Sequence, residues 1–575
     1  MNTSVNRPLR GTLIPALLAA AACFCLAQST GDSTQPNPKT STDQASQAPV
    51  FHAESRLVLV DFVITDHHGD PVTDLKPENV SLLEDGKPQK LVAFEPHLAK
   101  TRKPAPPPVK LPPHQFTNFP LTEDQGPVNI ILFDLLNTLP LEQAFAKKQM
   151  IQFLKDLPSG HRLALFVLGT KLRMIQGFTG DSDTLISAAE ALQANRSLLL
   201  TSEDDRQTDN FVNSTVYSDA RSDPGGASGR IASALSDLVG MQENARADGT
   251  LQALTLLAGA VSGYPGRKNV IWLSTNFPFR FGPTDINQKI REQRRYLDPF
   301  QGVSALLAAA QIAIYPIDIG GLSTDGAGSV SAPSTGAPST SIASGQLMAR
   351  WDSHDAMADI ARETGGQAYY GANDFKSMMQ RSLQQGENYY TLAYVPANRD
   401  WNGKYRKVEV KVTKEGVKLE YRRGYYAFAG SQISKDEIIK LLAYSMQPTI
   451  PETTAILMRV QVLPPDHDHK AVSIDYAVAP SDISFSDGPD HLKHAQIDFM
   501  ASAWDKENKE VARVATPIEF HIRQEVYDQI QATGVPAHQE LELKPGTYFL
   551  RVGVMDHQTQ KIGTVNVPLT VAAVK

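Results

Sequence analysis

Four short apolar runs, separated by segments of helical period, constrain this chain more than any other feature. They are Val128–Phe133 (VNIILF), Arg162–Leu168 (RLALFVL), Asn269–Leu273 (NVIWL) and Ile312–Ile319 (IAIYPIDI). A strand that is apolar on both alternating faces fits a sheet covered on both sides, and such sheets are built from parallel strands joined by crossover helices. The intervening segments supply those helices. Leu141–Leu157 is amphipathic, with Leu141, Phe145, Met150, Leu154 and Leu157 on its inward stripe, and helices are also expected over Asp181–Gln193, Thr250–Gly263, 284–311, Ser353–Glu363 and Asp374–Gln385. Leu172–Phe178 reads as a short edge strand, Tyr389–Tyr394 as the last core strand, and Lys404–Val412 with Lys418–Tyr426 as a trailing hairpin. The pattern predicts an α/β unit over residues 127–426 with a doubly wound, mostly parallel sheet. Two Ser-, Gly- and Asp-rich stretches, 195–229 and 320–350, read as insertions.

The flanks have a different period. Residues 50–97 alternate short strands with turn clusters, including Asp85-Gly86, and predict a small all-β module. Residues 98–126, with KPAPPPVKLPP, read as a stiff proline-rich linker, and 427–451 as a second linker. From 452 to 575, strand-like runs separated by turn signals such as Pro545-Gly546 predict a β-sandwich-like domain. At the other end, Arg7 and Arg10 precede the apolar run Leu13–Leu26, with small residues near Ala27. Residues 1–27 therefore read as a signal peptide, the alternative being a retained anchor, and the polar stretch 28–49 as a spacer. The expected localisation is secreted or periplasmic, with no transmembrane segment in the mature chain. Both cysteines, Cys23 and Cys25, lie inside the signal, which leaves the mature chain without disulfides or thiolate chemistry.

With 55 basic against 62 acidic residues, well interspersed, the net charge of −7 offers no basic face for a phosphate backbone, and nucleic-acid binding is disfavoured. The sequence contains no Gly-x-Ser-x-Gly elbow, His-Glu-x-x-His motif, phosphate-binding loop or dinucleotide fingerprint. In an open parallel sheet, ligands bind beyond the carboxyl ends of the strands where the winding reverses. Attention falls on Asp134-Leu135-Leu136-Asn137-Thr138, which leaves the first strand. A carboxylate with a hydroxyl four residues on is a donor set that suits a hard cation such as Mg²⁺.

Here the chain resembles the von Willebrand factor type A domain, and more closely a subgroup abundant in acidobacteria. The resemblance runs from about Pro127 to Tyr426 through VNIILFDLLNT, LPSGHRLALFVLG, DGTLQAL, RKNVIWLS, AIYPID, ETGGQAYY and NYYTLAYVP, and the preceding GDPVTDLKPENVSLLEDGKPQKLVAFE matches the segment before such domains. The resemblance implies a metal-ion-dependent adhesion site. Asp134 matches its first carboxylate, Thr138 its second hydroxyl and Thr250 its loop threonine. Leu136 stands where a serine ligand belongs, and Trp272-Leu273-Ser274-Thr275-Asn276 lacks the second aspartate. One carboxylate compensates poorly for desolvating a divalent ion. Asp318, on a strand two places away, lies about 9–10 Å off at ordinary spacing. The alternative reading makes Asp134 a helix cap or an acceptor for loop amides, and Thr250 an N-cap.

Asp466-His467-Asp468-His469 alternates His and Asp that could bind a transition metal if extended, and its other reading, after Pro464 and Pro465, is an exposed turn; His491 and His494 after Asp487-Gly488-Pro489-Asp490 are read as loop residues. The tyrosines at 389, 390, 394, 425 and 426 are read as sheet packing. The expectation is an exported, non-enzymatic binding protein that engages a protein or cell-surface polymer through the α/β unit, with a degenerate site for Mg²⁺. The alternatives are an exported hydrolase with an interdomain site and a structural envelope component.

Overall fold

The computed structural model describes residues 57–99, 111–119, 127–157, 161–193, 226–277, 290–320, 353–371, 374–428, 435–466 and 470–572. The stretches expected to be a signal peptide (1–27) and a spacer (28–49), residues 194–225, residues 321–352 and residues 467–469 lie outside these residues. Among the described residues no helix is long and apolar enough to cross a membrane.

A mixed five-stranded sheet lies at the centre. Its strands are β1 (Val128–Asp134), β2 (Leu163–Leu168), β3 (Leu172–Thr179), β4 (Lys268–Ser274) and β5 (Ile312–Asp318), in the order β5-β4-β1-β2-β3. All neighbours are parallel except β3, which runs antiparallel at the edge. The apolar runs form these strands because side chains alternate between faces. Ile130, Leu132, Val270, Trp272 and Ile314 join one core with Leu254, Leu257 and Val261 of a long helix and Met357 and Ile360 of the helix 353–364. Ile131, Phe133, Leu165, Val167, Ile271 and Ile317 join the other, with α1 (Pro140–Lys155), α2 (Ser182–Glu190) and the helix Phe375–Glu387. The long helix, α3 (Ala227–Val261), starts well before the expected Thr250.

The α1 stripe differs from the expectation. Gln143, Ala146, Met150, Phe153 and Leu154 face inward, whereas Leu141 is 86% exposed and Phe145 42%. Pro140 begins the helix, so its first turn stands at the rim of the sheet, ahead of the packed stripe. After β5, the chain returns through Gly365-Gly366, and a Cβ at Gly366 would lie 2.0 Å from the Ile314 carbonyl oxygen. Only glycine permits that approach, which brings Tyr369 into a parallel bridge with Ile317.

Tyr389–Tyr394 does not close this sheet. It pairs antiparallel with Val58–Thr65 (Leu59↔Ala393, Phe62↔Tyr390) and with Leu91–His97. Asn402–Val412 pairs with Val80–Glu84 and Gly424–Phe428, while Lys418–Tyr421 joins Val58–Thr65. The expected module 50–97 and trailing hairpin thus merge into two four-stranded sheets around Val60, Phe62, Leu82, Leu392, Val408 and Val410. The physical reason is edge satisfaction: separately, each piece leaves unpaired strand edges, and together they cover one another.

The same logic corrects both linkers. Gln115–Thr117, inside the proline-rich stretch, adds to Met458–Leu463 as an edge strand, and Asn118 donates to the carbonyls of Thr453 and Ile456 at 2.8 Å each. The 427–451 stretch contains the helix Lys435–Ser445, whose Ile438 packs with Met446, Met500, Met555 and Ile562. Beyond it, the sheets led by Met458–Leu463 and Lys493–Trp504 share a core of Val460, Ile474, Ile497, Phe499, Val552 and Val565.

Glu363, at the end of the helix 353–364, accepts from the Tyr405 hydroxyl at 3.0 Å. Burial pushes its carboxyl from 4.5 up to about 7, against the Tyr405 hydrogen bond. A raised carboxyl pKa means that the folded state holds the proton longer than the unfolded chain, so stability falls as pH rises from about 4.5 to about 7. Glu363→Gln is expected to flatten that slope and to raise stability at pH 8 by about 2–3 kcal/mol. Thermal melts of both proteins from pH 4.5 to 8 check this, and parallel curves would refute it.

Candidate functional site

The winding reverses between β1 and β4, and their carboxyl ends carry the polar cluster. Asp134 ends β1 and is 1% exposed. Its Oδ1 accepts from the backbone amides of Leu136 (3.0 Å) and Asn137 (2.9 Å). Its Oδ2 accepts from Asn137 Nδ2 (3.0 Å), Trp272 Nε1 (3.1 Å) and Ser274 Oγ (2.9 Å). A carboxylate has about four lone-pair directions, and these five donors use them all. Burial pushes the Asp134 carboxyl above the usual range, and the hydrogen bonds from Asn137, Ser274 and Trp272 pull it back down. A positive charge stands nearby in Arg246, one helical turn before Thr250. Burial lowers its pKa, while Glu243 and Asp134 act to raise it.

Of the three expected metal ligands, Asp134 and Thr250 are brought together through Asn137, without forming a cation cradle. Thr250 lies in the middle of α3, where its hydroxyl donates to the Arg246 carbonyl at 2.8 Å, so it is not an N-cap. Asn137 Nδ2 sits between Asp134 Oδ2 and Thr250 Oγ1, 3.0 and 3.1 Å away. An amide thus bridges the two oxygens that a cation would join. Thr138 Oγ1 is buried without a hydrogen-bond partner, and Leu136 is buried in the core beneath α3. The Thr275 hydroxyl donates to the Asn137 carbonyl at 3.2 Å, which ties the β4 end to the same loop. Mg²⁺ requires near-octahedral oxygens at about 2.0–2.1 Å with several retained waters. A carboxylate saturated by protein donors, with an amide in the bridging position, does not fit it. Of the two readings of Asp134, the geometry gives the acceptor for loop amides.

Asp318, at the end of β5, takes a separate role. Its Oδ2 lies 2.8 Å from His354 Nε2, and the His354 ring stacks on Tyr370 with centroids 4.5 Å apart. Tyr370 is 47% exposed. Leu141 and Phe145 stand on the first turns of α1, and Phe145 meets Phe375 edge-on at 5.5 Å. The carboxyl edge of the sheet therefore combines a polar cluster centred on a saturated carboxylate with exposed apolar and aromatic side chains. Of the groups that sequence reasoning missed, Asn137 was inside the inspected motif. Trp272 and Ser274 end an apolar run. Arg246 carried a weak signal one turn before Thr250, and His354 and Tyr370 carried none.

Comparison with known proteins gives partial likenesses. No family model and no curated protein matches the chain. An aerotolerance-related membrane protein from Bacteroides fragilis, solved with multiple mutations to serine, is 9% identical at a TM-score of 0.23, over 45% of this chain and 98% of that one. The PilB minor pilin from Streptococcus sanguinis is 13% identical at a TM-score of 0.24, over 46% of this chain and 63% of the pilin. A von Willebrand factor type A protein from Catenulispora acidiphila is 10% identical at a TM-score of 0.19, over 59% and 74% of the two chains.

Proposed function

We propose that this chain is an exported, non-enzymatic binding protein. Its α/β unit, a doubly wound sheet of the von Willebrand factor type A kind and close to the acidobacterial subgroup, engages a protein or cell-surface polymer without a metal ion. One observation carries the reading. The Asp134 carboxylate at the carboxyl edge is saturated by protein donors and joined to Thr250 through Asn137, while Leu141 and Tyr370 stand exposed along the same edge. Exposed large apolar side chains on a rigid scaffold suit recognition, and a saturated carboxylate suits neither Lewis-acid nor general-base chemistry.

The test uses the mature protein against immobilised outer-membrane protein extract and purified peptidoglycan by biolayer interferometry. Saturable binding to one of them, unchanged by EDTA and reduced at least about ten-fold in Leu141→Asp and Tyr370→Ala, is expected. Both residues are exposed, so the melting temperatures of the variants should match the parent. Equal binding by both variants would overturn the proposal. Turnover on ester, peptide or glycan panels that is abolished by His354→Ala would favour the exported hydrolase, built on the Asp318–His354 pair.

A further inference from the structure

The C-terminal sheets carry a second constellation, which adjacency in sequence conceals. Lys493–Trp504 pairs antiparallel with Glu510–Ile522 in a register that sets His494 directly opposite His521. Their ring centroids are 4.2 Å apart, at an interplanar angle of 64°. The turn that enters the first of these strands brings Asp490 to the same place, with its Oδ1 2.8 Å from His494 Nε2. One ligand atom from each of the three residues falls within 4.8 Å of the others.

The turn is built around that approach. The Gly488 amide donates to the Leu492 carbonyl at 2.8 Å and the Leu492 amide to Asp490 Oδ1 at 3.2 Å, which fixes the carboxylate before any ion arrives. A Cβ at Gly488 would lie 2.3 Å from His494 Nε2 and 2.4 Å from Asp490 Oδ1, so a side chain there would fill the cradle. His491 holds a φ of 60°, which turns the loop back toward the strand. Lys493, the nearest cation in sequence, is turned to Asp487 at 2.6 Å and over the Tyr527 ring, so its charge is engaged elsewhere.

We propose that Asp490, His494 and His521 form a surface site for a divalent transition-metal ion of the imidazole-preferring class, with Zn²⁺ as the occupant. Two imidazole nitrogens and one carboxylate oxygen are a three-ligand set for tetrahedral zinc, leaving the fourth position to water or an external ligand. The carboxylate lowers the net charge of the bound ion, and both histidines bind in the neutral form. Glu519 Oε2 lies 3.9 Å from His521 Nε2 and adds negative charge beside the site. The site is far in sequence from the Asp134 cluster and uses none of its residues.

The test is calorimetric titration of the untagged mature protein with Zn²⁺ at pH 7.5, with Co²⁺ absorption as a second readout. One equivalent is expected to bind, with a visible Co²⁺ spectrum of tetrahedral intensity. His494→Ala and His521→Ala should each weaken binding by about 10–100-fold or more, the range already seen when only outer-shell partners are lost. Asp490→Asn, which keeps the size of the side chain, should weaken it less. The chain has 14 histidines, so a His467→Ala/His469→Ala variant is the control and should bind as the parent does. No stoichiometric binding, or unchanged binding in His521→Ala with an unchanged melting temperature, would overturn the site. Loss of binding in the His467/His469 variant alone would overturn it too.

Discussion

Asp134→Ala is expected to destabilise the α/β unit by about 3–5 kcal/mol, the cost of removing one partner from a buried charged network. The carboxylate is the common acceptor of two backbone amides, an indole, an amide and a hydroxyl. Its removal leaves these donors buried and also strips Arg246 of a nearby negative charge. Asp134→Asn should cost less, because the amide oxygen still accepts, but its NH₂ would face donors. For a unit of this size the α/β transition in calorimetry should fall by about 10 °C in the alanine variant. The parent should melt at one temperature in EDTA and in millimolar Mg²⁺. A large upward shift with Mg²⁺ that Asp134→Ala abolishes would show that a cation, rather than Asn137, bridges Asp134 and Thr250.

The second large effect lies in the merged sandwich. Glu84 and Arg406 are each 2% exposed, and their 3.3 Å pair is completed by the hydroxyls of Tyr394 and Tyr425, which donate to Glu84 Oε2 at 2.7 and 2.8 Å. Arg406 also donates to the carbonyls of Asn398 and Asp400 and lies over the Trp401 ring. Burial and the neighbouring carboxylate push both tyrosines upward, so the phenols stay protonated and donate. Glu84→Leu or Arg406→Leu alone strands a buried charge and is expected to cost about 3–5 kcal/mol. The double variant removes both charges and should be less destabilised than the two singles added together, by about 2 kcal/mol or more. Calorimetry or chemical denaturation of the three variants checks this. Simple additivity would mean that residues 80–84 and 402–412 do not share one core.

The α/β core was legible because its strands are fully buried. A run such as VNIILF has no polar face, and that property is written in consecutive residues. The sandwich was not legible, because Leu59 meets Ala393 and Val410 meets Leu82 across more than 300 positions, and no local period records a partner that distant. Tyr389–Tyr394 is as apolar as a central strand of the parallel sheet, so composition could not tell which sheet it joins. Gln115–Thr117 was hidden for a related reason: an edge strand that follows prolines needs only one ladder and leaves little hydrophobic signal.

At the carboxyl edge of the sheet, the sequence by itself made Asp134 and Thr138 candidates, as a carboxylate with a hydroxyl four residues on, and the family resemblance added Thr250 and marked Leu136 and the absent second carboxylate as departures from its motif. Those readings need no coordinates. Tertiary structure decided what the residues do. It placed Asn137 Nδ2 between Asp134 and Thr250, brought Trp272 and Ser274 from the neighbouring strand to the remaining lone pairs, and set Arg246 near enough for the Asp134 charge to act on it. The same holds at His494 and His521, which two hydrogen-bonded strands bring face to face. A hydrogen bond or a ligand set is a matter of ångströms in space, and spacing along the chain becomes distance only after the strands have paired.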